Sequence, residues 1–372
     1  MSVRIERVEL RHVRMRLKSD FRTSFGLERD RECLLVCIHA DGERGWGECV
    51  AGAEPGFSYE TVGTAWQILK DFFVPAVFEQ GVSSPEKLRA ALGKYRGHPL
   101  ARAGLEMAFW DLNGRISGKS FGELIGGKKA QVQVGVSIGI QENAEGMLEQ
   151  IAKYLDEGYR RIKVKVAPGA DLHVLNAIRD EHPERELWVD ANAAYSLADI
   201  ETLNAFDALS LGLIEQPLHE DDLIDHAELQ RQISTDICLD ESIHHLRAAR
   251  HAIKLGSCRV INIKPARVGG YLVASEIEAF CRELGVPVWC GGMLETGIGR
   301  AANLALASRP GFSLPGDISA SDRYYEQDIC ETEFKLNEDS TIDVPSGPGL
   351  GVQVDPAAVE VVTLDKIELL PR

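Results

Sequence analysis

The segment Leu187–Asn192 reads LWVDAN, a short apolar run that ends in an acidic and an amide side chain. Two later segments repeat this pattern, since Leu213–Pro217 reads LIEQP and Ile237–Glu241 reads ICLDE. The acidic residue that closes each run follows the previous one by 25 residues, enough for one strand and one helix. Such a repeat predicts neighbouring parallel strands whose polar residues meet at one end of a barrel.

The same alternation of apolar runs and helical patterns extends from about residue 130 to about residue 316. Each of the first seven runs is followed by 12–20 residues with helical spacing, while a helix after the eighth run is only weakly indicated. Eight parallel strands at this repeat length favour a (β/α)-type barrel over an open sheet. The predicted strands are Val132–Ile138, Arg161–Val166, Leu187–Asp190, Leu211–Glu215, Ile237–Asp240, Val260–Lys264, Val286–Cys290 and Phe312–Gly316.

The residues on both sides of this repeat have a different pattern. Near the N-terminus, alternating apolar residues predict two strands, and a turn at Asp41–Gly42 predicts a hairpin with a third. Residues 60–78 and 84–117 have helical spacing, so this part is predicted as an α+β unit. The fold class is therefore α/β, with a capping domain at 1–128, the barrel at 129–330, and a segment at 331–372 that returns to the cap.

The length and charge of the chain restrict the classes of partner and function that we expect. The chain has 372 residues and a net charge of −16, with 57 acidic against 41 basic residues. An acidic protein repels phosphate groups, so we expect neither nucleic acid nor a membrane as a partner. We find no apolar run long enough to span a bilayer and no secretory signal. The eight cysteines form no C-x-x-C pair and lie mostly in apolar runs, which favours a reduced protein in the cytoplasm.

Asp190, Glu215 and Asp240 are predicted to lie at one height on three adjacent strands. Three like charges that converge in a closed site do not all stay ionised without a cation. Because no His or Cys takes part, the oxygen ligands favour one hard divalent ion, Mg²⁺ or Mn²⁺, over Zn²⁺. The alternative is that each carboxylate is a separate strand-end residue, solvated or paired with a barrel lysine.

Lysines stand on the strands on either side of these carboxylates. Lys165 ends the strand before Asp190, and Lys264 ends the strand after Asp240. This geometry predicts one amine on each face of a substrate held at the metal, as an acid/base pair requires. Lys163 lies on the same face of its strand as Lys165, where its charge favours the neutral amine of a general base. Structural ion pairing with the carboxylates is the alternative.

These motifs resemble those of the enolase superfamily, muconate-cycloisomerase-type subgroup, over essentially the whole chain. Within it they are most similar to those of the o-succinylbenzoate synthases and N-acylamino acid racemases. The resemblance implies a (β/α)7β modified TIM barrel beneath the α+β capping domain. The motifs that carry it are Lys163-Val164-Lys165, Asp190-Ala191-Asn192, Glu215-Gln216-Pro217, Asp240-Glu241-Ser242, Asn262-Ile263-Lys264-Pro265 and the segment Gly291–Arg300, GGMLETGIGR.

The superfamily's common reaction removes a proton from the carbon next to a carboxylate through an enediolate. The resemblance therefore implies that Asp190, Glu215 and Asp240 bind the divalent ion and that Lys165 and Lys264 are the catalytic lysines. In racemisation, one lysine would remove the α-proton and the other would reprotonate the opposite face. In the synthase reaction, Lys165 would remove the proton and assist loss of hydroxide, while Lys264 would stay charged and stabilise the enediolate.

Further substrate-binding residues are expected at the barrel mouth. Ser137 and Asn192 stand at the ends of barrel strands, and Gly291, Met293 and Leu294 follow the seventh strand. In the cap, the aperiodic segment Phe21–Gly26 lies between two predicted strands. We expect this segment, including the substrate-binding residues Phe21 and Phe25, to close over the barrel mouth and exclude water.

The residues at the end of the eighth predicted strand distinguish between the candidate substrates. Dipeptide epimerases carry Asp-x-Asp at this point to hold the substrate's ammonium group. Here Asp317 is followed by Ile318 and a serine, so the second carboxylate is missing. We therefore expect Asp317 and Ile318 to face an acylated amine or a succinyl side chain.

The predicted activity is the dehydration catalysed by o-succinylbenzoate synthase in menaquinone biosynthesis, racemisation of N-acylamino acids such as N-succinylamino acids, or both. A muconate cycloisomerase or dipeptide epimerase is the nearest alternative, and a catalytically inert barrel that binds a ligand is another. Intact Lys165 and Lys264 argue against the inert protein. The expected partner is a small-molecule carboxylate, and the expected assembly is a homo-oligomer. The sequence leaves open the acyl group, the side chain, the choice of Mg²⁺ or Mn²⁺, and the number of subunits.

Overall fold

The structure is a computed structural model that describes residues 4–169 and 171–371. Within these ranges the strands are β1 (Ile5–Thr23), β2 (Gly26–Ala40), β3 (Glu43–Cys49), β4 (Gln131–Gln133), β5 (Val136–Ile138), β6 (Ile162–Lys165), β7 (Leu187–Asp190), β8 (Leu213–Glu215), β9 (Ile237–Leu239), β10 (Val260–Ile263), β11 (Val288–Cys290), β12 (Thr341–Asp343) and β13 (Thr363–Leu369). The α-helices are α1 (Val62–Ile68), α2 (Val74–Gln80), α3 (Pro85–Ala91), α4 (Pro99–Ser117), α5 (Phe121–Ile125), α6 (Ala144–Asp156), α7 (Asp171–Glu181), α8 (Ile200–Asp207), α9 (Ile224–Gln232), α10 (Leu246–Leu255), α11 (Pro265–Val268), α12 (Tyr271–Glu283), α13 (Gly297–Ala307) and α14 (Pro356–Val362).

The cap is built on an antiparallel sheet in the order β13-β1-β2-β3. Strands β1 and β2 form a long hairpin that turns at Ser24–Phe25. The prediction that Phe21–Gly26 is irregular is therefore wrong for most of the segment, because Phe21 pairs with Glu28 and the ladder continues almost to the tip. A turn of two residues leaves the flanking strands free to pair. The tip of the hairpin, residues 21–23 paired with 26–28, is therefore a regular ladder that lies beyond a break in register between Arg16 and Phe21.

Helix α4 packs closely against β3. A β-carbon built on Gly47 would lie 2.0 Å from the carbonyl oxygen of Gly104, so only glycine lets the two backbones approach. The prediction of one helical stretch over 84–117 needs correction, because α3 and α4 are separated by residues 92–98. Pro99 disfavours a helical conformation in the residue before it, and His98 has a φ of 55°.

Buried glutamates fasten the cap to the barrel. Glu48 on β3 accepts hydrogen bonds from the Thr296 hydroxyl at 2.7 Å and from the Gly299 backbone at 3.0 Å, at the N-terminus of α13. Glu106 on α4 accepts one from the Leu272 backbone at 2.9 Å, at the start of α12. A helix N-terminus carries unpaired N–H groups and a partial positive charge, so it stabilises a carboxylate that contacts it.

Seven parallel strands form the barrel sheet in the order β11-β10-β9-β8-β7-β6-β5. Strands β6 to β11 agree with the predicted runs to within two residues at each end. With the antiparallel cap, this arrangement confirms the predicted (β/α)7β modified TIM barrel. Among the described residues, no helix is long and apolar enough to cross a lipid bilayer.

The first and eighth predicted strands need correction. The run Val132–Ile138 is divided, since β4 pairs with β12 outside the barrel and only β5 joins the parallel sheet. The run Phe312–Gly316 closes the barrel through single bridges, Phe312 to Val288 and Gly316 to Val134, rather than as a continuous strand. Pro315 lies within this run and has no backbone N–H to donate to a ladder.

Candidate active site

Neighbouring strands bring the predicted polar residues to the same end of the barrel. Lys165 on β6 pairs in register with Asp190 on β7, which pairs with Glu215 on β8. Glu215 is level with Cys238 on β9, so Asp240 lies two residues beyond that position. The expectation that all three carboxylates share one height is therefore wrong for Asp240, because tilted barrel strands are staggered.

Two lysines contact the first two carboxylates. Lys165 Nζ lies 2.6 Å from Asp190 Oδ2 and 2.7 Å from Asn192 Oδ1. Lys163 Nζ lies 3.1 Å from the same Asp190 oxygen and 2.5 Å from Glu215 Oε2. All of these side chains are buried or nearly so. The β6 and β7 side chains therefore form one continuous ion-paired cluster at the barrel mouth.

The opposite side of the mouth is built from β9, β10 and the turn after β10. Lys264 Nζ lies 2.7 Å from Asp240 Oδ2, and Arg267 binds the other oxygen of this carboxylate. Arg267 also donates hydrogen bonds to the Ile243 and Asn262 backbone oxygens, so it holds Asp240 in one orientation.

An aromatic ring from the cap covers the amine on this side. Lys264 Nζ lies 4.2 Å from the ring centroid of Phe57, within the range of a cation–π interaction. Burial disfavours the ammonium form of Lys264, but the charges of Asp240 and Glu241 raise its pKa above the ordinary value.

Ionisation is uneven among the carboxylates Asp190, Glu215 and Glu241. Although burial opposes it, the two contacting lysines hold the pKa of Asp190 below its ordinary value. Burial and the charge of Asp190 raise the pKa of Glu215 well above its ordinary value. Burial and the charges of Asp240 and Asp190 raise the pKa of Glu241 to about 7. Like-charge repulsion is therefore present even with lysines nearby, as expected for converging carboxylates.

Asp317 is engaged in a second buried ion pair inside the barrel. Its carboxylate lies 2.7 Å from Arg161 Nη1 and 2.6 Å from Lys163 Nζ. The Arg161 guanidinium lies 4.4 Å from the ring centroid of Trp188. Although burial opposes it, Lys163 and Arg161 lower the pKa of Asp317 to about 2. Asp317 is thus an ionised partner for two protein cations.

The fit of these carboxylates to a metal ion depends on their donor atoms and on their present contacts. Among residues 4–169 and 171–371, no three His, Cys, Asp or Glu side chains are arranged to hold one as they stand. Ammonium groups contact the oxygens of Asp190, Glu215 and Asp240 instead. The donor set nevertheless fits a hard cation, because its ligands are oxygens. Beside this set, Glu241 Oε2 is buried with no hydrogen-bond partner in the described chain.

A cavity of about 390 Å³ opens above this cluster, between the barrel and the cap. Both candidate acid/base groups, Lys165 and Lys264, line it together with Lys163. The predicted substrate-binding residues that line it are Phe21, Phe25, Ser137, Asn192, Met293, Leu294 and Asp317. The side-chain oxygen of Ser137 is buried and has no hydrogen-bond partner in the described chain.

Gly291 and Ile318 are not among the residues that line the cavity. A β-carbon on Gly291 would lie 2.3 Å from Asn262 Oδ1 and 2.8 Å from Lys264 Cγ, so this glycine makes room for those side chains. Ile318 is 3% exposed and belongs to the apolar core. Gly291 therefore leaves space for Asn262 and Lys264, and Ile318 packs in the core, so neither residue lies on the cavity wall.

Several residues of the site were given no role from the sequence, although Asn262 and Glu241 stand in the motifs that carry the resemblance. Asn262 donates a 2.6 Å hydrogen bond to Glu215, and its position two residues before Lys264 on one strand face was the available signal. Glu241 and Arg267 follow their strands with no comparable pattern. In the cap, residues 52–60 supply Phe57 and much of the cavity wall. That stretch has no periodicity, so its docking depends on tertiary contacts.

Comparison with known proteins agrees with the fold and the site. Residues 5–126 match the "Mandelate racemase / muconate lactonizing enzyme, N-terminal domain" family, and residues 146–358 match the "Enolase C-terminal domain-like" family. The crystal structure of an enolase superfamily member from Listeria innocua Clip11262 superposes with a TM-score of 0.94 and 37% identity, over 100% of both chains.

Curated relatives with two different names share 47% identity with this chain. One is the "o-succinylbenzoate synthase" of Geobacillus kaustophilus, aligned over 98% of this chain and 97% of its own length. The other is the "N-succinylamino acid racemase" of Thermus thermophilus, aligned over 97% of this chain and 98% of its own length. These matches confirm the resemblance carried by the motifs, and the chain belongs to the mandelate racemase/muconate lactonizing enzyme family of the enolase superfamily.

Proposed function

We propose that this protein is a divalent-metal-dependent enzyme that abstracts a proton α to a carboxylate. Its reaction is o-succinylbenzoate synthesis, a dehydration, or racemisation of N-acylamino acids such as N-succinylamino acids, or both. One observation carries the proposal: Lys165 and Lys264 line a single cavity from strands on opposite sides of three buried carboxylates. Relatives with each of these two names, at equal identity, support both activities.

Asp190, Glu215 and Asp240 are the proposed ligands of one Mg²⁺ or Mn²⁺ ion. When bound, such an ion stabilises the negative charge that develops on the oxygens of an enediolate. The ammonium groups that now contact these carboxylates lie on long side chains. In the proposed complex, Lys165 and Lys264 turn from the carboxylates toward a substrate in the cavity that both residues line.

Proton transfer in racemisation is assigned to the two lysines. The neutral amine of one lysine takes the α-proton, so the C–H bond breaks and its electron pair moves into the enediolate. The ammonium of the other lysine then delivers a proton to the opposite face, and the two lysines end with exchanged protonation states. Lys163 stays charged, because burial is outweighed by Asp317, Glu215 and Asp190, which raise its pKa well above the ordinary value.

In the dehydration, Lys165 takes the α-proton and then returns it to the departing hydroxide, which leaves as water. Lys264 keeps its proton and stabilises the enediolate by its charge. Both reactions share the first step, so a single arrangement of residues serves both. The choice between them then depends on which substrate the cavity admits.

The cavity favours an acylated amine over a free ammonium group. The carboxylate of Asp317 is already neutralised by Arg161 and Lys163, so it is poorly placed to bind another cation. The dipeptide epimerase alternative needs Asp-x-Asp at this point, and the position of the second aspartate is occupied by the buried Ser319. Ser137 offers a free hydroxyl for an oxygen of the substrate.

Solvent exchange tests this proposal. The protein is incubated in D₂O with N-succinyl and N-acetyl amino acids and Mg²⁺ or Mn²⁺, and α-deuterium is followed by NMR. The dehydration is followed separately with the synthase substrate. We expect exchange or dehydration that a chelator stops and added metal restores. Absence of both reactions, with metal present and the protein folded, contradicts the proposal.

We further propose that the protein acts in the cytoplasm as a homo-oligomer on a small-molecule carboxylate. All eight cysteines are buried and unpaired, which supports a reducing compartment. The number of subunits is measured by light scattering coupled to size-exclusion chromatography, where a purely monomeric protein contradicts the oligomer.

A further inference from the structure

We propose that Ser24, at the tip of the β1–β2 hairpin, positions Lys165 through Asn192, so that docking of the cap aligns one of the two lysines. Ser24 does not contact a reacting atom in this scheme, so it is a positioning residue. The inference rests on the proposed function, because it gives Lys165 a proton to transfer.

A chain of direct contacts joins the cap to this lysine. The Ser24 hydroxyl donates a 3.2 Å hydrogen bond to the backbone oxygen of Asn192. The side-chain oxygen of Asn192 lies 2.7 Å from Lys165 Nζ, and its amide nitrogen donates a 2.9 Å hydrogen bond to Glu241. The orientation of Asn192 therefore sets the position of the lysine amine.

The backbone at Asn192 needs external support. Asn192 and Ala193 have φ values of 42° and 61°, in the left-handed region that residues other than glycine seldom adopt. Asparagine tolerates this conformation, but alanine has no side chain to compensate for it. Hydrogen bonds from the Asn192 backbone to Asp190, from the Ala193 backbone to Gln216 and from Ser24 to Asn192 hold the reversal. Loss of the Ser24 contact would release one of these three constraints, the one that comes from the cap.

The hairpin tip has a second attachment that does not use Ser24. The Ile140 backbone donates a 2.9 Å hydrogen bond to the Arg22 backbone oxygen. A β-carbon on Gly139 would lie 2.8 Å from that same oxygen, so glycine lets the two backbones meet. The tip should thus stay docked when the Ser24 hydroxyl is removed. An effect of Ser24→Ala then reports on the position of Lys165 and not on the closure of the cap over the cavity.

Lys264 has different neighbours. It contacts Asp240 on the barrel and the ring of Phe57 from the 52–60 loop. A substitution at Ser24 should therefore affect Lys165 and leave Lys264 unchanged. In a racemase with one lysine on each face, each enantiomer presents its α-proton to a different lysine, so the two exchange rates report on the two lysines separately.

The test measures α-deuterium exchange for each enantiomer of an N-succinylamino acid in D₂O with Mn²⁺, in the wild type and in Ser24→Ala. The variant Lys264→Ala first identifies the enantiomer that faces Lys165, since this is the one that should still exchange. We expect Ser24→Ala to slow this exchange about fivefold, the size of one lost hydrogen bond. Exchange of the other enantiomer should stay within about twofold.

Two variants control for the change. Ser24→Thr keeps the hydroxyl and should restore the wild-type ratio of the two exchange rates. Ser117→Ala removes a hydroxyl that donates a 2.6 Å hydrogen bond to the Asn113 backbone oxygen at the exposed end of α4, and it should leave the ratio unchanged. Thermal unfolding of each variant confirms that the protein is folded.

An equal loss for both enantiomers, or no loss in Ser24→Ala, overturns the positioning role and leaves the proposed function intact. Absence of exchange and dehydration in the wild type contradicts the proposed function, and the positioning role falls with it. The two failures are therefore distinguished by the wild-type measurement alone.

Discussion

The two sides of the barrel mouth place a lysine beside an aspartate in different surroundings. Lys165 contacts Asp190 and the amide of Asn192, and that amide is joined to the tip of the cap hairpin. Lys264 contacts Asp240, which a buried arginine also holds, and an aromatic ring covers its amine. One side is polar and tied to the hairpin, while the other is rigid and capped by an apolar ring.

This difference indicates that the barrel and the cap contribute different parts of the site. The barrel supplies two similar amines on opposite sides, as its strand repeat requires. The cap supplies a separate partner for each amine, the hairpin for Lys165 and the 52–60 loop for Lys264. A change in either cap element should therefore alter one proton transfer more than the other.

The largest effect is expected from removal of a lysine. Lys165→Ala and Lys264→Ala should each lower racemisation by about a thousandfold or more, because one face of the substrate loses its acid or base. Each variant should still exchange the α-proton of one enantiomer, and the two variants should retain different enantiomers. Racemisation is followed by polarimetry and exchange by NMR. If only one of the two substitutions abolishes racemisation, the two-base scheme fails.

The stability of the protein should depend on pH through Glu48, which joins β3 of the cap to α13 of the barrel. Burial and the charge of Glu295 raise the pKa of Glu48 to about 7. The folded state therefore binds a proton more tightly than the unfolded state, and stability is lost as pH rises through the folded pKa. Ionising Glu48 should cost up to about 3 kcal/mol between pH 5 and pH 8.

Glu48→Gln removes this titration and keeps a side-chain oxygen for Thr296. Urea unfolding should show that the free energy of unfolding of the wild type, relative to the variant, falls from pH 5 to pH 8. A difference that is constant over this range would show that Glu48 does not titrate there. Glu123→Gln is the matched control, because that glutamate is at a surface helix cap.

A smaller effect is expected from substitution of Phe57, whose ring covers the Lys264 amine. Phe57→Leu keeps apolar bulk but removes the cation–π contact with Lys264, which is worth about 1 kcal/mol or slightly more. Exchange of the enantiomer that faces Lys264 should rise by up to about fivefold to tenfold, because loss of the contact favours the neutral amine that takes the proton, and exchange of the other enantiomer should change little. This is the reverse of the pattern expected for Ser24→Ala. A fall of equal size for both enantiomers would indicate that Phe57 only shields the cavity.

The smallest effect is expected where the two cap elements touch. A β-carbon on Gly56 would lie 2.7 Å from Cδ2 of Phe25, so Gly56→Ala should push the tip away from the loop. The KM should rise about threefold for both enantiomers alike, because closure serves both sides. Adding Phe25→Ala should relieve the clash. If Phe21→Ala and Phe25→Ala leave kcat/KM unchanged, the hairpin does not act as a lid.

Local spacing was sufficient to predict much of this site. Alternation within strands and the 25-residue repeat placed Lys165, Asp190 and Glu215 side by side, as their register shows. The stagger of Asp240 was not predictable, because it depends on how strands tilt when the barrel closes. The lysine–carboxylate contacts also match the alternative of ion pairing, which sequence reasoning left open.

The cap was less predictable for a physical reason. Its core strands alternate clearly, but Ser24 and Phe57 act through contacts with residues far along the chain. No periodicity marks such residues, since their role is set by how two domains dock. Arg267 is similar, because its partners Asp240 and Asn262 meet it only after the barrel has formed.

The pairing of β1 with β13 has a consequence for folding. Val8 pairs with Leu369 across 361 residues (369 − 8), whereas its other partner, Ile38, lies 30 residues away (38 − 8). The barrel is thus an insertion within the cap sheet, and closing so long a loop carries an entropic cost that a folded barrel reduces. The hairpin can form early, but its outer edge stays unpaired until the barrel has folded. Barrel and cap should consequently unfold as one cooperative unit, and a destabilised barrel would expose the β1 edge to pairing with other chains.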